Sequence, residues 1–150
     1  MSRRIEEVED DAGTVTRYRR HGNGGGLVAP GASVDDSTYI AATAYVEAEA
    51  RVGRGGWIGQ GSWIDRGATV GSLAFIGDDV HVGQGATVGN DVRVGSHSRI
   101  GAESRIGHGA RLGRDTKVPR AAVIAPNTGA LRSVGSRASS AREPQSRLAA

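Results

Sequence analysis

Cysteine is absent from this chain of 150 residues. We therefore expect no disulfide, no thiol nucleophile and no cysteine-based zinc or iron–sulfur site. Phe, Trp and Tyr make up only 4% of the residues, which argues against a wide core filled by aromatic rings. No run approaches 18 apolar residues, and the basic start has no apolar stretch behind it. We therefore expect neither a transmembrane helix nor a signal peptide, and we predict a cytoplasmic protein.

An excess of one charge is also missing from most of the chain. The net charge of +3 arises in residues 131–150, which carry four arginines and one acid, whereas bases and acids balance elsewhere. Because the body is balanced, nucleic acid is not an expected partner. Residues 128–150 are small, polar and without periodicity, and are predicted to form a disordered basic tail.

What the sequence does have is a six-residue repeat. An aliphatic residue returns at every sixth position from Val28 to Ile124, seventeen times without a miss. The residue two positions earlier is nearly always small, and glycine follows the aliphatic directly at ten places. A helix has a period of 3.6 and a strand a period of 2, so neither alone explains the pattern. A chain that turns after each short strand and stacks its repeats would bury the aliphatic and small residues in a narrow column.

The glycines after the aliphatic positions, and the Gly, Asp or Asn residues that follow, are interpreted as turn residues with positive φ. On that interpretation proline is tolerated at Gly77. Aspartate at Ile76 is expected to unfold the column, because it would bury an unpaired charge.

The N-terminal segment 1–26 shows no sustained period and ends in the stretch HGNGGG. It is predicted to be a mostly mobile N-terminal arm, with Gly22 to Gly26 as a hinge. A short alternating strand over GTVTRYR that covers the first coil is the alternative.

Three segments, IGQGSWIDRGATVG, VGQGATVGNDVRVG and IGAESRIGHGARLG, resemble the repeats of the bacterial hexapeptide-repeat acyltransferase-like superfamily. The resemblance implies an all-β fold, a single-stranded left-handed parallel β-helix with three repeats in each coil. About five to six coils would give a column roughly 25–30 Å tall. The chain then divides into an arm (1–26), a β-helix (27–127) and a tail (128–150).

Three repeats per coil place positions eighteen apart above one another, so that the residues before each aliphatic form three outward columns. The first column contains Leu27, Tyr45, Trp63, His81, Arg99 and Lys117. The second contains Tyr39, Trp57, Phe75, Arg93 and Arg111, and the third Ser33, Arg51, Thr69, Thr87, Arg105 and Val123. Aromatic residues thus gather in the early coils and cations in the late coils.

The resemblance implies a coenzyme-A-dependent O- or N-acyltransferase, which moves an acyl group from acyl-CoA to a hydroxyl or amine of a sugar or small metabolite. The alternative is a noncatalytic β-solenoid, a structural or polymer-binding module of the bacterial or phage repeat-only type. The unbroken register favours the alternative, because the family's enzymes commonly interrupt the column with a protruding loop. Whether the chain is an enzyme stays open at this point.

His97 is the first candidate for a general base, because the coil length places Asp79 one coil before it and Asp115 one coil after it. His81 and His108 are the alternates. The cations that we expect to hold the phosphates of acyl-CoA are Arg93, Arg99, Arg111, Arg114 and Lys117. No metal is expected, since Gly113 stands where the pattern of the family's carbonic anhydrases has a second histidine.

Five aromatic residues are expected to be exposed and to form an interface. They are Tyr39, Tyr45, Trp57, Trp63 and Phe75. Together with the usual assembly of the family they predict a homotrimer of parallel columns, with no membrane partner. Stacking on a sugar and binding of another protein are the alternatives.

Overall fold

The computed structural model describes residues 5–127, in which all regular structure is β. The predicted basic tail lies outside these residues. Within them, no helix is long and apolar enough to span a membrane. The strands are β1 (Ile5–Glu9), β2 (Val15–Arg20), β3 (Leu27–Val28), β4 (Ser33–Val34), β5 (Tyr39–Ile40), β6 (Tyr45–Val46), β7 (Arg51–Val52), β8 (Trp57–Ile58), β9 (Trp63–Ile64), β10 (Thr69–Val70), β11 (Phe75–Ile76), β12 (His81–Val82), β13 (Thr87–Val88), β14 (Arg93–Val94), β15 (Arg99–Ile100), β16 (Arg105–Ile106), β17 (Arg111–Leu112), β18 (Lys117–Val118) and β19 (Val123–Ile124).

From β3 onward the two-residue strands wind into a parallel β-solenoid with three faces. Val28 lies opposite Val46, so that one coil is eighteen positions long. Face A contains β3, β6, β9, β12, β15 and β18; face B contains β4, β7, β10, β13, β16 and β19; face C contains β5, β8, β11, β14 and β17. The predicted all-β solenoid is confirmed, and the three outward columns appear in the strand register as expected.

Backbone hydrogen bonds join each coil to the next. The N–H after each aliphatic donates to the carbonyl of the aliphatic one coil later, as from Gly77 to Val94 at 2.9 Å and from Gly83 to Ile100 at 2.8 Å. Such a ladder satisfies the backbone groups that a narrow buried column would otherwise leave without partners. The ladder therefore fixes which residues become neighbours on the surface.

The core is a column of aliphatic side chains with small residues between them. Ile58 and Ile76 are fully buried, and so is Ser62, two residues before an aliphatic. The Ser62 hydroxyl donates to the Gly77 carbonyl at 2.6 Å and accepts from the Val80 N–H at 3.1 Å. A hydroxyl is tolerated in this core because backbone groups pair with it.

Positive φ occurs three residues after the aliphatic, and not directly after it. Gly61 has φ 71° and His97 has φ 65°, both at that third position. The glycines directly after the aliphatic have a different role: a Cβ at Gly77 would lie 2.8 Å from the Ser96 nitrogen of the next coil. The interpretation of these glycines as positive-φ residues is therefore wrong. Proline at Gly77 is also excluded, because the Gly77 N–H donates to Val94.

The N-terminal segment forms a hairpin instead of a mobile arm. β1 and β2 pair antiparallel, and β2 continues the sheet of face A by pairing Arg20 with Leu27 of β3. Alternation in both strands turns Val8 and Tyr18 toward Leu27, where Tyr18 is buried. The structure thus contains the covering strand that was predicted as the alternative. β2 pairs with β3 because β3 would otherwise have an unpaired edge.

The predicted hinge is a cap on the first coil. The Gly26 N–H donates to Ile40 O at 2.9 Å, and the Ile40 N–H donates to Asn23 O at 3.0 Å. Buried His21 donates from Nε2 to the Thr38 carbonyl at 2.8 Å. Glycine is needed because a Cβ at Gly26 would overlap the Ile40 side chain. Residues 21–26 are thus fastened to the first coil of the column.

We predict that Gly77→Ala lowers the free energy of unfolding by about 1–3 kcal/mol, because the new Cβ overpacks against the next coil. Gly113→Ala is the matched control: it holds the same repeat position, and a Cβ added there would meet no described residue within 4 Å. That variant is expected to change stability by less than about 1 kcal/mol. Urea unfolding of the two variants checks this, and equal losses would contradict the close-approach explanation.

Candidate active site

On face A, two carboxylates each hold the outward ring of the next coil. Trp63 Nε1 donates to Glu47 Oε2 at 2.8 Å, and His81 Nε2 donates to Asp65 Oδ2 at 3.0 Å. Both pairs are 16 residues apart, since each carboxylate directly follows an aliphatic and each ring directly precedes one in the next coil. The pairs are therefore a product of the repeat geometry.

His81 is held in one orientation from two sides. Its ring stacks on that of Trp63, with centroids 4.3 Å apart and an angle of 14° between the planes. Asp65 is only 8% exposed and also accepts from the Arg66 N–H at 2.7 Å. Because a carboxylate can only accept, the Nε2 of His81 carries the proton, and in the neutral ring Nδ1 keeps a free lone pair. The pair has the arrangement of a base and the group that orients it.

A groove opens beside this pair, where the next coils carry glycine instead of a carboxylate. It encloses about 500 Å³ and we call it the base groove. Its lining includes Asp65, His81, Gly83, Gln84, Arg99, Gly101, Ala102, Glu103 and Arg120. Arg120 lies 3.5 Å from Glu103, whereas Arg99 forms no ion pair with any residue in the described part of the chain. An unpaired guanidinium in a groove suits an anionic group of a ligand.

The hairpin is anchored at the same face through Tyr18. Its hydroxyl donates to Glu47 Oε1 at 2.7 Å, and its ring meets Tyr45 edge to face at 5.3 Å. Glu47 thus joins the hairpin to Trp63, the ring on which His81 stacks. Burial, followed by the hydrogen bond and charge of Glu47, raises the pKa of Tyr18 far above its usual value.

His97 lies at the corner between faces C and A, in line with Asp79 and Asp115 as the coil length predicts. All three have positive φ. His97 Nδ1 is 3.8 Å from Asp79 Oδ2, and both side chains are about half exposed. No hydrogen bond or ion pair joins His97 to Asp115 among the described residues. His97 is therefore less constrained than His81.

His108 lies at the corner between faces B and C. Its Nδ1 accepts from the Asn90 N–H at 2.8 Å, so the predicted stack on Asn90 is present. That bond uses the lone pair which a base would need, and leaves the proton on Nε2. The three candidate histidines thus occupy three separate places on the solenoid.

The five candidate cations are divided between faces. Arg99 and Lys117 are neighbours on face A, and Arg93 and Arg111 are neighbours on face C. Arg114 lies at the corner between these faces. Arg93 places its guanidinium carbon 5.7 Å from the centre of the Phe75 ring. Of the five, only Arg99 lines the base groove.

The aromatic residues are divided as well. Tyr39, Trp57 and Phe75 stack along face C, with successive centroids 4.1 and 6.4 Å apart. Trp57 is 45% and Phe75 39% exposed. Tyr45 and Trp63, on face A, belong to the hairpin anchor and the histidine pair. Only face C therefore presents an aromatic ladder without another described element over it.

Asp65 and Glu47 were not identified from the sequence. The signal was available, because both stand directly after an aliphatic, where glycine takes ten of the positions. Asp35 stands at the same position but accepts from Ser37 of its own turn, so the position alone does not distinguish the two roles. Among residues 5–127, no group of three or more His, Asp or Glu side chains is placed to hold a metal ion.

Residues 73–108 match the family model described as bacterial transferase hexapeptide (six repeats). A search of curated proteins finds no match. The resemblance to hexapeptide-repeat proteins that the sequence indicates is thereby confirmed for these repeats.

Two similar solved structures are of one protein. The acetyltransferase domain of PglB from Neisseria gonorrhoeae is 27% identical, with a TM-score of 0.63 over 69% of this chain and 51% of that one. The same domain in complex with acetyl coenzyme A is 25% identical, with a TM-score of 0.57 over 66% of this chain and 53% of that one. The present chain thus spans about half the length of the structures that it matches.

We predict that Tyr18 makes stability fall in alkali. The raised pKa means that the folded state prefers the neutral phenol, so its contribution is complete below about pH 10 and is lost as pH rises toward the folded-state pKa. Tyr18→Phe should cost about 1 kcal/mol at neutral pH and flatten the alkaline decline. Urea unfolding at pH values between 8 and 11 measures the loss of stability and its pH dependence, with Tyr39→Phe as the control. An unchanged slope in Tyr18→Phe would contradict the anchor.

Proposed function

We propose that this hexapeptide-repeat chain transfers an acyl group from acyl-CoA to a hydroxyl or amine, with His81 as the general base. One observation carries the proposal: His81 is fixed by buried Asp65 at the edge of a groove that contains an unpaired arginine. The likeness to an acetyltransferase domain solved with acetyl coenzyme A supports the same chemistry.

In this mechanism His81 Nδ1 takes the proton from the acceptor as its oxygen or nitrogen attacks the thioester carbon. The new bond forms, the carbon–sulfur bond breaks, and the proton passes from His81 to the leaving thiolate. Asp65 stabilises the imidazolium between these steps and keeps the ring in place. All atoms and charges are then restored for the next turnover.

The oxyanion needs donors that the ladder does not already use. The N–H groups of Gly83 and Gly101 donate to carbonyls one coil later, so they are not available. Gln84 and Ala102 line the base groove, and their backbone N–H groups donate to no described residue. We assign the polarisation of the thioester carbonyl to these two groups.

Arg99 is the phosphate-binding residue of the proposal, with Arg120 beside it in the groove. Lys117, next to Arg99 on face A, extends this positive surface. Arg93 and Arg111 lie on face C, so within a single column they do not contribute to this phosphate-binding surface. His97 is the second candidate for the base, since Asp79 lies near it.

A trimer of parallel columns is part of the proposal, with the active site between neighbouring columns. The exposed rings of Trp57 and Phe75 on face C support such a contact, because stacked rings leave their apolar edges outward. Cytoplasmic residence, expected from the sequence, stays a prediction.

A noncatalytic solenoid is the second candidate function. The observation that favours it is the register: from β3 to β19 every coil pairs with the next, and no loop leaves the column. A regular, uninterrupted outer surface of this kind is sufficient for a structural or polymer-binding module.

Calorimetric titration with acetyl-CoA separates the two candidates. We expect binding, with a dissociation constant about tenfold higher in Arg99→Ala, which is the effect of one lost charge-assisted hydrogen bond. Arg105→Ala, an exposed arginine on face B, is the matched control and should bind as the wild type does. Absence of binding at millimolar acetyl-CoA, in folded protein of known oligomeric mass, would contradict the enzyme proposal.

The same protein allows a thiol-release assay, because its lack of cysteine removes background labelling. With amines and sugars as acceptors, His81→Gln should lower kcat at least a hundredfold, whereas His97→Gln should stay within about threefold. A larger loss of kcat in His97→Gln than in His81→Gln would show that His97 is the general base.

A further inference from the structure

The hydrogen bond to Asp65 alone does not determine where the second nitrogen of His81 points. A ring attached at Cβ and held at Nε2 can still turn about the line between these atoms, which swings Nδ1 around it. The plane of the ring is set by the stack on Trp63, with centroids 4.3 Å apart and an angle of 14°. The direction of the Nδ1 lone pair therefore depends on whether the indole of Trp63 is itself held in place.

Trp63 is held at its edge by a carboxylate whose two oxygens are both occupied. The indole is 42% exposed, and an exposed side chain without a partner exchanges between rotamers. Trp63 Nε1 donates to Glu47 Oε2 at 2.8 Å, and the Tyr18 hydroxyl donates to Glu47 Oε1 at 2.7 Å. The carboxylate cannot rotate without losing one of these bonds, so it fixes the indole.

Tyr18 is the rigid end of this series of contacts. It is 6% exposed and packs with Leu27 of the first coil, beneath the strand that pairs with β3. A buried hydroxyl needs a hydrogen-bond partner, and Glu47 is that partner. We call Tyr18, Glu47 and Trp63 the support network. It runs from the hairpin, across the early coils of face A, to the ring of His81.

The support network stands apart from the space where a ligand would bind. The lining of the base groove, within residues 5–127, includes none of its three members, whereas it includes His81 and Asp65. In that groove the network can act only through the ring of His81. A base must lie within hydrogen-bond reach of the proton that it takes, and a displacement of about 1 Å can lower a rate about a hundredfold.

We propose that the support network belongs to the active site, because it sets the direction in which His81 presents Nδ1. Tyr18, Glu47 and Trp63 are then positioning residues, which act on the reaction through His81. The inference rests on the proposed function for the role of His81 as the base, whereas the orientation of the ring does not depend on that role. The hairpin, residues 5–20, thereby contributes to the site although it lies outside the repeats.

Proton NMR of the free protein tests the orientation without any substrate. The ring current of Trp63 should move the ring protons of His81 upfield, and His81→Gln identifies these signals by their absence. Glu47→Ala releases the indole and should remove most of the upfield shift. Glu47→Gln should keep it, because the amide oxygen still accepts from Trp63 and the amide N–H donates to the Tyr18 oxygen. Glu49→Ala is the matched control, since Glu49 pairs only with exposed Arg66 among the described residues.

Thiol release with acetyl-CoA measures what the orientation contributes to the reaction. Glu47→Ala should lower kcat at least about tenfold and leave KM for acetyl-CoA within about threefold, because the lining of the base groove is unchanged. Glu47→Gln and Glu49→Ala should keep both constants within about twofold of the wild type. Tyr18→Phe removes one of the two bonds to Glu47 and should lower kcat about fourfold.

The outcomes separate the support network from the enzyme. An upfield shift that is absent in the wild type, or that persists in Glu47→Ala, overturns the inference. A shift lost in Glu47→Ala with kcat unchanged overturns it as well, and so do equal losses of kcat in Glu47→Ala and Glu49→Ala. Unchanged shift and kcat in Tyr18→Phe overturn the part assigned to the hairpin. If the wild type shows no turnover, the acyltransferase proposal falls, and the NMR shift alone decides whether the network orients the ring.

Circular dichroism checks that the variants are folded. Trp63→Leu removes the indole itself and takes the place of Glu47→Ala if that variant does not fold. It should show the same loss of the upfield shift and of kcat.

Discussion

The hydrogen bond from each residue after an aliphatic to the carbonyl of the aliphatic in the next coil is the contact on which the structure depends. It repeats along the column, as from Gly77 to Val94, and keeps every coil at the same length. Residues with a side chain, such as Asp65, make the same bond, but at most of the later coils the backbones also approach closely, so that a Cβ at Gly77 would meet the Ser96 nitrogen at 2.8 Å. Glycine therefore dominates that position. At Glu47 and Asp65 a carboxylate stands there instead, and its side chain reaches the outward ring of the next coil. Asp35 has the same position, but its carboxylate accepts from Ser37 of its own turn.

Face A combines these consequences in one surface. Its early coils hold the hairpin through Tyr18 and Glu47, its middle coils hold the ring of His81, and its later coils carry Arg99. The ring of His81 thus lies in the lining of the base groove together with Arg99.

The repeat was sufficient to predict the solenoid and its outward columns, because parallel stacking turns sequence distance into spatial order. The same arithmetic aligned Asp79, His97 and Asp115, yet of the two carboxylates only that of Asp79 comes within 4 Å of a His97 ring nitrogen. Alignment of backbone positions does not fix how far side chains reach. The pairing of Asp65 with His81 escaped detection because they are 16 residues apart, diagonal neighbours that lie outside any one column. In the N-terminal segment the covering strand β2 was predicted only as the alternative to a mobile arm, and β1 was not predicted. The deciding contacts, pairing with β3 and burial of Tyr18, lie outside the segment's own periodicity.

A disulfide trap tests the register of the coils most directly, and the absence of cysteine makes the background clean. Thr69 and Thr87 are partners on neighbouring strands of face B, so their Cα atoms lie about 4.8 Å apart, within the range of a disulfide. Under mild oxidation the variant with Thr69→Cys and Thr87→Cys should close an intramolecular bond, detected by mass spectrometry. The variant with Thr87→Cys and Arg93→Cys, one repeat apart on different faces, should stay reduced. A bond in the second variant, or none in the first, would contradict the eighteen-residue coil on which the candidate active site depends.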